Sequence, residues 1–276
     1  MRYFTQLPSV TIGQKYEILL PLPIIYGILF SINLLLEREK MKIKYFTLPN
    51  LFTLANLFCG VMATIVTVAS IWDPSISLQI PLLFIIASAI FDFLDGFAAR
   101  LTGQYSALGV QLDSLADMVS FGLTPSLILV AMYCSAEGIG WWWLICLGVV
   151  LCSALRLARF NIDPEQKESF IGLPTPALAL AVGSLAWAME EGALTLSPSI
   201  ILAIALVGAW LLISPLKMFS FKFKNFLPKE NSVRYGFIAV ALTMLIIGGL
   251  SALWGVIALY IVTSLALQLT EKKEKN

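Results

Sequence analysis

The chain has 276 residues, 59% of them hydrophobic and only 13% charged, with 18 Lys and Arg against 17 Asp and Glu and a net charge of +1. Soluble domains run at about 45–50% apolar and about 25% charged, so this composition excludes an ordinary soluble protein. A mean hydropathy of +0.87 excludes a disordered chain, the balanced charge excludes a general nucleic-acid field, and an integral membrane protein remains.

In chain order, residues 1–40 admit two readings. Glu17 to Leu36 is apolar and long enough to cross a bilayer, but it contains Pro21 and Pro23, and the basic cluster follows it rather than precedes it, unlike a cleaved signal peptide. Either it is an extra N-terminal helix, or translation begins at Met41, where Lys42-Ile43-Lys44 follows as in an ordinary membrane-protein start. Residues 41–276 read as one membrane domain. From Leu51 onward eight apolar spans are expected, at 51–71, 79–100, 108–134, 141–160, 176–189, 199–214, 234–250 and 252–269, the fifth being short. Between them the longest polar stretches are the loops 161–174 and 215–233.

Eight is even, so both ends of the set lie on one side. With the segment before Leu51 in the cytoplasm, every basic residue except Arg2 and Lys15 falls at or near that face, and the opposite loops carry only Asp73, Glu137, Glu190 and Glu191. The expected fold is an all-α, polytopic membrane helical bundle. His is absent, so proton transfer near neutral pH falls to a carboxylate, Lys, Tyr or Cys. Cys59, Cys134, Cys146 and Cys152 sit in apolar stretches without a C-x-x-C pair and read as buried small hydrophobes.

Ionisable groups within a membrane are costly and by default functional. Four of the six Asp fall within 26 residues: Asp92 and Asp95 at the end of the second span, Asp113 and Asp117 at the start of the third. Residues three or four apart share a helix face, so each helix offers one carboxylate pair, and the short connection 101–107 folds the pairs together. Four converging carboxylates repel one another unless protonated or neutralised by cations, and hard oxygen ligands near phosphate suit Mg²⁺ or Mn²⁺. Gly96 and Gly109, with Ala98 and Ala99, leave room for a bulky anionic group, and Arg100 offers it a fork.

The pattern Asp92-x-x-Asp95-Gly96-x-x-Ala99-Arg100, eight residues, Gly109-x-x-x-Asp113-x-x-x-Asp117 resembles the signature of the CDP-alcohol phosphatidyltransferase family, with every position filled. The resemblance implies a homodimeric enzyme of six core helices, here with two further C-terminal helices. It implies an active site facing the cytoplasm from the cell (inner) membrane, and metal-dependent transfer of a phosphatidyl group from CDP-diacylglycerol to an alcohol with release of CMP. By the same resemblance, Asp92, Asp95 and Asp113 are metal ligands, and Asp117 is a ligand to a second ion and the base. Gly96, Ala99, Arg100, Gly109, Asn50 and Thr53 then face the CDP-lipid.

Three further segments resemble the serine-accepting branch of the family: Leu48 to Gly60 entering the first span, Leu155 to Asn161 ending the fourth, and Gly172 to Ala177 entering the fifth. Serine suits them physically, since its carboxylate needs a cationic fork from Arg156 or Arg159 and its ammonium needs acceptors such as Asn161. Arg156 and Arg159, three apart and so on one face, could equally hold the phosphate of glycerol 3-phosphate or inositol phosphate, and choline is a further acceptor within the same chemistry. A cation transporter is disfavoured: its route would place ionisable groups at mid-span or on the far side, whereas these four lie at one face beside an Arg.

Overall fold

A computed structural model describes residues 45–138, 140–163, 171–219 and 231–274. The two readings of residues 1–40, and the basic loop residues Lys167, Lys222, Lys224 and Lys229, fall outside the described residues.

Helix α1, Leu48–Trp72, starts where Thr47 accepts a hydrogen bond from the Asn50 backbone N–H, with Pro49 in the first turn where its missing N–H costs nothing. Helix α2, Gln79–Thr102, stops at Gly103, whose φ of +64° favours glycine. Ser106 caps α3, Ala107–Asp117, by accepting from the Gly109 N–H at 2.9 Å. A π-helical turn, Met118–Leu123, then joins α3 to α4, Thr124–Glu137, so that the expected third span is one run with a bulge in it. A 3₁₀ turn, Trp141–Leu147, leads into α5, Gly148–Ile162; α6 is Thr175–Glu190 and α7 is Pro198–Ile213. Helix α8, Ser232–Gly248, and α9, Leu253–Glu274, complete the chain.

Each of the eight expected spans is helical. Ser232–Thr270 is a single apolar stretch of 39 residues, and Gly249, at φ +57°, breaks it where the sequence places the seventh-to-eighth boundary. Helices α6 and α7 have only 16 residues each, about 24 Å at 1.5 Å per residue. For α6 the shortness goes with centrality. Its Leu178, Ala179, Val182 and Leu185 join Phe121, Ile128, Leu129 and Met132 of the third span in the apolar core.

Helix α1 shows the membrane pattern: its outward residues are large and apolar, with Phe58 64% and Trp72 77% exposed, whereas its buried stripe is small and polar, running Asn50, Thr53, Asn56, Gly60, Ala63, Thr67, Ser70. Lipid is as apolar as Leu, so close approach and interhelical hydrogen bonds do the packing. At the end of the bundle opposite the carboxylates, Trp72, Trp141 and Trp142 are exposed, as suits aromatic residues at a membrane interface. There the Glu190 carboxylate accepts from Ser77 Oγ and the Gln79 N–H, both at 3.0 Å, capping α2 from α6. On the same side, donation from the Ser75 N–H and hydroxyl holds the exposed Asp73 carboxyl below the usual carboxylate range.

Candidate active site

The end of α2 and the start of α3 bring the carboxylates together as the register requires. One oxygen each of Asp92, Asp95 and Asp113 lies within 4.8 Å of the other two. Asp113 Oδ1 is buried without a hydrogen-bond partner. An orphaned buried oxygen is costly unless something cationic satisfies it, and three hard oxygens converging at this spacing fit a divalent cation. Asp117, one turn deeper, is buried and stands outside this trio.

Helix α1 holds these groups from behind. Thr53 Oγ1 donates to Asp95 Oδ2 at 2.7 Å, and Asn56 Nδ2 donates to Asp117 Oδ1 at 3.0 Å. Asn56 is fully buried and acts as a hub, since its side-chain oxygen accepts from Ser120 Oγ at 2.8 Å and its carbonyl accepts from Ser88 Oγ at 3.1 Å. This packing needs Gly60: a Cβ there would stand 2.8 Å from the Ser120 backbone Cα. The π turn follows Asp117 directly and carries Ser120 into the α1 hub, so the bulge serves the site. Sequence reasoning missed Asn56, Ser88 and Ser120. The signal was the 3-3-4 spacing of Asn50, Thr53, Asn56 and Gly60 in an otherwise apolar span.

A cavity of about 170 Å³ opens beside the trio, lined by Asn50, Thr53, Asp95, Gly96, Ala99, Gly109 and Asp113 together with Gln104, Tyr105 and Ser106 of the α2–α3 connection. Gly96 faces open space, and Gly109 lies against Asn50, whose Oδ1 would be 3.2 Å from an added Cβ. Asn50 Nδ2 donates to the Tyr45 carbonyl at 2.8 Å. Of the expected CDP-lipid group, then, Asn50, Thr53, Gly96, Ala99 and Gly109 share the cavity. Arg100 does not line it; it is exposed in the last turn of α2, about 100° around the helix from Ala99.

The expected acceptor residues separate. Arg156 is 8% exposed and its Nε has no hydrogen-bond partner. It lies within electrostatic reach of Asp117. Arg159 is exposed and pairs with Asp163 at 3.4 Å, and Asn161 Nδ2 donates to Ser114 Oγ at 2.8 Å on the surface of α3. Sharing a face thus fails for the two Arg. Three residues turn a helix by about 300°, and near the rim of a buried face that 60° offset divides interior from exterior.

The third segment, Gly172 to Ala177, is a structural hinge-post. The Gly172 N–H donates to Leu216 O at 2.8 Å and the Leu173 N–H to Leu211 O at 2.9 Å. Gly172 has φ +76°, and a Cβ there would meet Leu212 O at 2.5 Å, so no other residue fits without a shift.

Residues 46–213 match the family model described as CDP-alcohol phosphatidyltransferase. Among curated relatives, the chain is 31% identical over 233 residues to the CDP-diacylglycerol--serine O-phosphatidyltransferase of Mycobacterium leprae (strain TN), covering 81% of this chain and 75% of the relative. It is 35% identical over 179 residues to the protein of the same name from Bacillus subtilis (strain 168), covering 63% of this chain and 91% of the relative. To the archaetidylserine synthase of Methanothermobacter thermautotrophicus (strain Delta H) it is 30% identical over 151 residues, covering 53% and 60%.

Proposed function

The chain belongs to the CDP-alcohol phosphatidyltransferase family, and from that premise we propose that it transfers a phosphatidyl group from CDP-diacylglycerol to the hydroxyl of L-serine, giving phosphatidylserine and CMP. Two relatives that bear the serine-transferase name support the acceptor. The single observation that carries it physically is Arg156: a buried guanidinium, with Nε unpartnered, within electrostatic reach of a buried carboxylate. In this reading a carboxylate-bearing alcohol sets its acid group on Arg156 and turns its hydroxyl towards Asp117. A phosphorylated acceptor would call for more cationic charge at that depth, and Arg159 is engaged with Asp163 at the surface.

In this reading Asp92, Asp95 and Asp113 hold a divalent cation, with Asp117 available to a second. Mg²⁺ or Mn²⁺, when bound, supplies charge neutralisation at the pyrophosphate. Thr53 fixes the Asp95 carboxylate, and Asn56 fixes Asp117 through one oxygen. Asp117 accepts the serine hydroxyl proton as the hydroxyl oxygen attacks the lipid-side phosphorus in line; the new P–O bond forms as the bond to CMP breaks. Gly96, Ala99 and Gly109 leave the space in which the CDP head lies, and Arg100, outside that cavity in the last turn of α2, offers its charge to phosphate that extends beyond it. The acyl chains stay in the bilayer. The proposal includes the cytoplasmic orientation of this end of the bundle in the inner membrane, supported by the basic residues gathered there, and a homodimeric assembly.

The test is an acceptor panel. Purified protein with CDP-diacylglycerol is offered serine, glycerol 3-phosphate, inositol phosphate, inositol or choline, and CMP release is followed. Serine should be preferred by at least tenfold; equal or greater release with a phosphorylated acceptor overturns the assignment.

A further inference from the structure

The family match ends at residue 213, yet the chain continues into α8 and α9, and the hairpin they form shares a cavity with the carboxylate-bearing helix α2. The cavity has a volume of about 620 Å³ and lies between Ile86 to Leu94 of α2, Leu180 of α6, and Leu245, Leu250 and Leu253 of the hairpin. Among the described residues, no side chain that lines it is polar. Hydrocarbon is the ligand chemistry it satisfies, since a polar group placed there would be left without a hydrogen-bond partner. Ile90 and Phe93 line it and are 54% and 64% exposed, so it opens on the lipid-facing side of α2.

Position along α2 decides which hydrocarbon. Ala89, Phe93 and Gly96 follow one another at four- and three-residue spacing and so share one face of the helix. The first two line this cavity, whereas Gly96 lines the one beside the carboxylates, where an added Cβ would meet nothing within 4 Å. From Phe93 to Gly96 is about 4.5 Å along the helix axis, and from Leu94 down to Ile86 about 12 Å. One leaflet's hydrocarbon is about 15 Å thick, half of a core of about 30 Å. A chain that starts at the level of Gly96 therefore runs down the cavity through most of its leaflet. Phe97, stacked on Phe93 with ring centroids 6.3 Å apart, prolongs the apolar wall towards that level. A second apolar cavity, about 470 Å³ between α6, α7 and α9, has none of the described residues of α2 in its lining, so a lipid whose head lies at Gly96 belongs to the first.

Resting on the proposed function, we infer that this cavity holds one acyl chain of the CDP-diacylglycerol whose head occupies the space beside Asp95 and Asp113, with the α8–α9 hairpin as its second wall. The hairpin then has a role in donor binding that residues 46–213 of the family match do not supply. Lipid is as apolar as the cavity, so holding the chain gains little transfer energy. What it supplies is position: a chain fixed along α2 sets the glycerol, and with it the lipid-side phosphorus, beside the carboxylates.

Labelling tests this on the unaltered, full-length protein. CDP-diacylglycerol with a photoactivatable diazirine at mid-chain, offered in mixed micelles, should label peptides of α8 and α9, and saturating CMP, which carries the head without the chains, should reduce that labelling about fivefold or more. Phosphatidylcholine with the same diazirine should label them regardless of CMP. Filling the cavity gives a second reading. Ala89→Phe from the α2 wall and Leu245→Trp from the hairpin should each lower kcat/KM for CDP-diacylglycerol about fivefold, on the order of 1 kcal/mol, while the serine KM and inhibition by CMP stay within about twofold of wild type. Ile246→Trp adds the same bulk one residue further on, where the side chain is 82% exposed, and should leave all three unchanged. With two filling variants the question stays decidable if one is not recovered folded. Hairpin labelling that is absent, or that CMP does not reduce, overturns the inference, as does an unchanged kcat/KM in both filled variants; an ordinary membrane lipid or a second copy of the chain in the cavity would give those results. An equal loss of CMP inhibition also overturns it, since a general loosening of the fold gives that. Wild-type protein that releases no CMP from CDP-diacylglycerol with any acceptor would instead overturn the proposed function.

Discussion

Helices α1 to α4 meet through polar atoms, whereas the α8–α9 hairpin meets the bundle mainly through apolar side chains, Phe237, Ile257 and Ile261 among them. In the first region Thr53, Asn56, Ser88, Ser120 and Thr124 are all buried, and each is hydrogen-bonded to a group on a neighbouring element. In the second, Ile246 and Ile247 at the hairpin tip are each 82% exposed. Lipid tolerates exposed apolar side chains but gives no partner to a stray polar group, so a dense interior hydrogen-bond network marks where fixed geometry is needed. The carboxylate end needs it because charges gathered in a low-dielectric setting must be held against their own repulsion. In the hairpin, Tyr260 and Ser264 bond to Phe219 in this way.

Substitutions should break the first region at its centre and leave the second nearly intact. The largest effect is expected for Asp92→Asn, Asp95→Asn or Asp113→Asn. In the proposed reading each removes a ligand charge worth several kcal/mol to the transition state, so turnover with any acceptor should fall about 10³-fold or more, with protein still recovered from the membrane. Full activity in any one removes that residue from the site.

Arg156→Ala comes next. The serine KM should rise roughly 10- to 150-fold, the equivalent of about 1.5–3 kcal/mol, with little change in CDP-lipid affinity. Arg159→Ala should change it by no more than a few-fold, since an exposed ion pair is worth about 0.2–1 kcal/mol. Equal effects from the two would erase the distinction between buried and surface arginine.

Thr53→Ala and Asn56→Ala should each lower activity by about 10- to 100-fold, as loss of a residue that orients a ligand or base typically does. Asn56→Ala should also destabilise the fold by about 1–3 kcal/mol through the orphaned Ser120 and Asp117 atoms, read as a lower unfolding temperature in detergent. Gly60→Ala forces Ser120 away from α1 and should cost about 1–3 kcal/mol. Ile246→Leu at the hairpin tip should be neutral within about 0.5 kcal/mol; a large effect there would mean that the hairpin tip is packed against something.

Much of this molecule could be read without coordinates because membrane chemistry simplifies the alphabet. Eight apolar runs are visible as eight helices, the break at Gly249 included, and four Asp in a two-helix register point to one site. Roles that depend on which side of a helix faces inward were harder. Arg156 and Arg159 are the same residue type at one helix end, and only the fold separates buried Arg156 from exposed Arg159, which pairs with Asp163. Arg100 fits the motif but stands outside the cavity. Asn56 was hidden for another reason: one amide in an apolar span has no sequence partner, because its partners, Ser88, Asp117 and Ser120, come from two other helices far along the chain.

The central claim is that the Asp92, Asp95 and Asp113 carboxylates hold a divalent cation for phosphatidyl transfer to serine. Its most direct test is serine-dependent CMP release from CDP-diacylglycerol by purified protein, measured after chelation and again after adding back Mg²⁺ or Mn²⁺, with Asp113→Asn run in parallel. Release should vanish on chelation, return with the added ion in the wild-type protein, and stay absent in Asp113→Asn. Undiminished release in the chelator, or full restoration in Asp113→Asn, would contradict the account.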